Sequence, residues 1–318
     1  MSSTDYFMDD DGYRLTVAAA ILHIAQLLSS VESDEERRRK KQLVVQRKVR
    51  TLQEAFPHET AERDLNKLGG ALELFPRDIG RQDALRLLVD ISFSSPFAPY
   101  ELKFSASDFR DALLQVASRL RLWPSDVTNV EETKREAFSI HSKISWGKIG
   151  LFAVTGTVVL AAGGWIAAPA IGTALGSAAG LSGAAATAHG LALLGGGSLA
   201  MGGAGMAGGA MAVTGFSAFA GCAALGGGSL LVQLGAANAQ LELVKLQTTF
   251  KVVILGTQTQ LAKTQKIIAR LTEELAELAT QLRAERELNE SNSARLEELE
   301  ATVRALEVAL EWIRRGGR

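Results

Sequence analysis

IGLFAVTGTVVLAAGGWIAAPA (residues 149–170) opens, and GLALLGGGSLAMGGAGMAGG (190–209) continues, a run from Ile149 to Leu241 without a single Lys, Arg, Asp or Glu. Roughly 20 apolar residues suffice to cross a bilayer, so a run this long, in a chain otherwise crowded with charge, is expected to insert in lipid. Most of the 31 glycines fall here. Gly172, Gly176 and Gly180 recur at a spacing of four, and Gly205 and Gly209 repeat the device, stripping one helix face so that backbones can touch. In water so much glycine costs about 1 kcal/mol per residue of helix, whereas in hydrocarbon the backbone must bond to itself and helix is the default. Trp146 and Lys148 are placed to anchor the interface, Pro169 to bend the chain between two spans, and the repeated LGGGSL at 194–199 and 225–230 to mark further turns. Basic residues on both sides (Lys143 and Lys148, Lys245 and Lys251) favour an even number of crossings with both flanks in the cytoplasm of a bacterium, and hence an inner-membrane protein.

The rest of the composition narrows the function classes. With 34 basic and 35 acidic residues and a net charge of −1, the chain has no global field for nucleic acid, which is not expected as a partner. The segment from Met1 to Arg14 is acidic and lacks the basic start of a secretory signal, so the first domain is expected to stay where it is made. The one cysteine, Cys222, can form no intrachain disulfide.

Residues 1–145 are expected to form a helical domain. Leu15, Ala18, Ile21, Leu22, Ala25 and Leu28 recur at helical spacing, as do Leu85, Leu88 and Ile91, and then Phe109, Leu113, Ala117 and Leu120. Thr128 and Glu131 have the spacing of a capping box, which predicts a last helix from near Asn129. In the basic run from Arg37 to Arg50, Glu32, Asp34, Glu35 and Glu36 cancel part of the charge and no aromatic residue interleaves to stack on bases, so a solvated helix face is the expectation.

The order of these helices, with LRLLVDISFSS (85–95) followed by SASDFRDALLQVASRLRLWPSDV (105–127), resembles the TerB-like domain named for tellurite resistance, an all-helical module of two similar halves. That resemblance implies a metal site built on an Asp-Gly turn in each half. Here the turns read Ser30 to Asp34 and Ser94 to Phe97, and both lack the Asp-Gly, so no metal and no cofactor is assigned. The Gly-rich wording of the middle block looks like a glycine-zipper membrane segment of bacterial proteins, which implies a mode of insertion and no activity.

Residues 242–318 carry heptads. Counting in sevens from Leu261 gives Leu261, Ile268, Leu275, Leu282, Leu296, Val303 and Leu310, and three residues on Leu271, Leu278, Leu299, Leu306 and Ile313, a coiled-coil seam through which copies are expected to associate. Glu285, Asn289 and Asn292 interrupt it. Two readings stay open there: a continuous helix, or a hairpin reversing at Asn289 to Ser293.

The expected fold is thus all-α, with an N-terminal helical domain (1–145), Gly-rich transmembrane hairpins (146–241) and a C-terminal coiled coil (242–318). His23, His58, His141 and His189 are scattered, and there is no phosphate-binding loop or nucleophile elbow, so an enzyme is not expected. Three functions are consistent with this: an oligomerising protein that inserts in and disrupts membranes, as a bacterial toxin or defence effector would; a membrane-anchored coiled-coil scaffold recruiting a partner; and a regulatory subunit of a neighbouring membrane enzyme. The first domain would bind a protein that the sequence does not name.

Overall fold

The helix Asp10–Ser30 (α1) carries apolar residues around almost its whole circumference, and Val17 to Leu22, Ile24, Ala25 and Leu28 are all buried. A helix apolar all round belongs at the centre of a domain. In the computed structural model, which describes residues 10–98, 100, 102–141, 236–255, 261–288 and 293–317, α1 is packed by Glu35–Ala55 (α2), the 3-10 turn Gly70–Leu74, Arg81–Ser92 (α4) and Ala106–Arg119 (α5), while a single turn, Pro57–Thr60 (α3), follows α2. The described residues hold helices and no strand, so the fold is all-α.

Local chemistry sets the helix starts. Asp34 caps α2 by accepting from the Arg37 amide at 2.8 Å, and Ser105 caps α5 by accepting from the Asp108 amide. Gly69 sits at φ 89, and a Cβ on Gly70 would stand 2.1 Å from the Asp64 carbonyl oxygen, so this turn requires both glycines. The capping box expected at Thr128 is not one. Pro124–His141 (α6) opens five residues earlier, with proline at its first position and the Asp126 carboxylate reaching back to the Trp123 amide at 2.8 Å. Thr128 and Glu131 lie inside α6 and both bond Arg110.

The chain divides into two compact units, Met1–Glu131 and Glu132–Arg318, with the division inside α6. In the C-terminal unit, Ala236–Thr249 (α7) runs into a π-helical segment, Phe250–Leu255, and is followed by Leu261–Leu288 (α8) and Ser293–Arg314 (α9). Of the two readings of the heptads, the structure takes the hairpin. Arg286 bonds Glu300 and Arg314 bonds Thr272, pairs equidistant from Ser293, so α9 runs back along α8. Its other face carries the buried Ala301, Ala305 and Ala309 at a spacing of four, where small side chains let α7 approach.

The membrane reading requires correction. Among the described residues no helix is long and apolar enough to cross a membrane, which overturns the transmembrane-helix expectation and the inner-membrane placement built on it. α8 and α9 have the length but carry charge on every turn; α1 is the most apolar, yet its apolar residues are spent in the core of the N-terminal unit. The packing glycines Gly172, Gly176, Gly180, Gly205 and Gly209, the interface residues Trp146 and Lys148, and Cys222 lie outside the described residues.

Candidate functional site

The heptad residues converge on one core. Leu271, Leu278, Leu282, Leu299, Val303, Leu306, Leu310 and Ile313 are buried there with Leu243, Leu246, Phe250 and Trp312, while Ile268, Leu275 and Leu296 pack partly buried against it; Leu261 opens α8. The seam is therefore consumed within one chain.

What the unit leaves open is a groove of about 640 Å³ between the C-terminal part of α6 (Glu136, Ser139, Ile140) and one face of α9 (Glu307, Val308, Glu311, Trp312, Arg315). Its apolar lining is Ile140, Val308 and Trp312, and carboxylates stand among them. The π-helical segment supplies the structure on one flank: Lys251 bonds Glu136 at 2.6 Å, its ammonium lies 5.8 Å from the centre of the Trp312 ring, and Phe250 meets that ring edge-on with centroids 6.3 Å apart. A π-helical turn widens the backbone and often marks a functional position. Glu311 is tied to Arg315 at 2.8 Å, whereas Glu307 makes no ion pair among the described residues. The Trp312 Nε1–H is buried with no acceptor among the described residues.

Behind the groove α6 ends in a polar interior. His141 is fully buried, and its Nε2 lies 2.7 Å from the Gln247 Oε1. Burial pushes the His141 pKa below the usual histidine range, and the Gln247 bond opposes that only in part. The ring is thus neutral, and with Gln247 Oε1 accepting, Nε2 is the protonated nitrogen.

The N-terminal unit holds a second polar network. The Tyr13 hydroxyl donates to the Asp90 carboxylate, and the Arg86 guanidinium lies 4.6 Å from the Tyr13 ring centre. Burial raises the Tyr13 pKa first, Asp90 raises it further and Arg86 opposes, so the phenol stays a proton donor and ties the start of α1 to α4. Sequence reasoning missed this pair, 77 residues apart; the available signal was Asp90 inside the apolar run LRLLVDIS. It also took Glu32 as solvated, whereas Glu32 bonds the buried Lys41 at 2.8 Å, and Lys41 lies over the Phe97 ring. That bond is the main cause of the lowered Glu32 pKa.

Among the described residues no three His, Cys, Asp or Glu stand together as metal ligands. In the turn from Ser94 to Phe97, the Ser94 hydroxyl donates to the Ile91 carbonyl at 2.6 Å. Comparison of the chain with protein-family models, with curated proteins and with solved structures returned no match, so the TerB-like resemblance stands on the sequence pattern alone.

Proposed function

We propose that this chain is a non-enzymatic scaffold that recruits a partner protein through its C-terminal helical unit. The observation that carries the reading is the α6–α9 groove. With the heptad seam used up in the hairpin core, Ile140, Val308 and Trp312 form a concave apolar surface of this unit, and Glu307 stands beside them with no ion-pair partner among the described residues. Lys251 on Glu136 and Trp312 holds one wall in place, and a wall already ordered loses little entropy on binding. Self-association through the seam would first require the hairpin to open, at the cost of its whole core.

A photo-crosslinking side chain at position 308 of the full-length protein, expressed in its native host, tests the reading. A discrete adduct heavier than the chain is expected, and it should disappear when Glu307→Arg and Glu311→Arg are added. No adduct, or one indifferent to those changes, overturns the proposal.

A further inference from the structure

The outer face of α2 is strongly basic. Arg39, Leu43, Arg47 and Arg50 follow at spacings of four, four and three, all exposed, and so form one stripe about 16 Å long. The neighbouring cations are already neutralised: Lys40 by Glu36 at 2.6 Å, Arg37 by Asp34 and Glu32 at 3.7 and 3.6 Å, and Lys41 by Glu32. Arg39 and Arg50 have no partner among the described residues. Arg47 is held in place from a distant loop, for the Tyr100 hydroxyl bonds its guanidinium and the Tyr100 ring lies 5.6 Å beneath it. Between the three arginines Leu43 is 53% exposed.

We propose that this stripe docks an acidic protein segment bearing an apolar anchor, with carboxylates on Arg39, Arg47 and Arg50 and the anchor on Leu43. Arginine forks match carboxylates bidentately, and Arg47, already fixed by Tyr100, gives up less side-chain freedom on binding than a loose arginine. Leu43 and Tyr100 favour a protein over a nucleic acid. A phosphate backbone offers nothing to a half-exposed leucine, and the Tyr100 ring, occupied by Arg47, is not free to stack on a base. The surface lies in the N-terminal unit and does not depend on the groove in the other.

Fluorescence anisotropy on the full-length chain tests this with three labelled probes: a synthetic helical peptide of roughly 20 residues with Glu and Leu at four-residue spacing, the same peptide with Ala for Leu, and a single-stranded DNA of similar charge. The Glu/Leu peptide is expected to bind, and Arg39→Glu with Arg50→Glu to weaken it by about tenfold or more. Leu43→Ala should weaken the Glu/Leu peptide by about threefold to tenfold and leave the Glu/Ala peptide unchanged. All of these positions are exposed, and an unchanged helical circular dichroism spectrum confirms that the variants fold. DNA binding as tight as the peptide, with Leu43→Ala silent, would replace the proposal with a general polyanion site. Peptide binding that is absent, or indifferent to the arginine changes, would end it.

Discussion

Lys48 lies on the buried stripe of α2 with Val44, Val49 and Leu52, and is only 4% exposed. Unlike Lys41 it has no carboxylate partner among the described residues, and burial alone lowers its pKa to about 8. The unfolded chain, with an ordinary value near 10.5, therefore holds that proton more tightly, and stability rises with pH between about 8 and 10.5. At neutral pH the buried charge works against folding. Lys48→Met, which keeps the stem and removes the charge, is expected to stabilise the protein by about 1–3 kcal/mol at pH 7, with the gain vanishing above about pH 10.5. Urea unfolding at the two pH values measures it; a gain that survives at high pH would mean that packing, and not charge, is responsible. No sequence pattern separates Lys41 from Lys48, because both fall seven residues apart on one face. The difference is Glu32, which the chain turn before α2 delivers to one of them.

At the scale of elements, the heptads were legible and their partner was not. The period of seven specifies an apolar seam, and eight of its residues are indeed buried; whether that seam meets another copy or its own continuation depends on what happens at Glu285 to Asn292, where polar residues weaken both alternatives. Because the pair closes within the chain, Leu306→Asp places a carboxylate in the core of the unit and should cost about 3 kcal/mol or more, with a loss independent of protein concentration. Thermal unfolding at protein concentrations spanning about two decades checks this, since an intermolecular seam would make the melting temperature follow concentration. The start of α6 teaches a similar lesson. Thr-x-x-Glu at 128–131 has the right spacing for a cap, but Pro124 and Asp126 provide a better one upstream, and Arg110 on α5 claims Thr128 and Glu131.

At the scale of the whole molecule, two histidines contribute to the acid side of the stability curve. His23 in the N-terminal unit and His141 in the C-terminal unit are both buried, and burial holds both below the ordinary value of 6.5, against opposing contributions from Gln115 and Gln247. Each holds its proton less tightly in the fold, while the unfolded chain takes up the proton below about 6.5, so this contribution is complete above that pH and declines as the pH falls toward the folded values. Denaturant midpoints are expected to drop between pH 7.5 and 5.5. His141→Gln should flatten the part of that slope that belongs to the C-terminal unit, and an unchanged slope in that variant would locate the proton uptake elsewhere.

The sequence by itself determined that the described residues are helical and where most of those helices lie. These follow from periodicity and capping, which are local and act within a few turns of the chain. Only the tertiary structure decided that the seam closes on itself, that the domain division falls inside α6, that Tyr13 is held by Asp90 and Arg47 by Tyr100, and that a groove opens between α6 and α9. Each of those joins residues dozens of positions apart, and such pairings are selected by the total surface that packing removes from water, a quantity no short stretch of sequence contains.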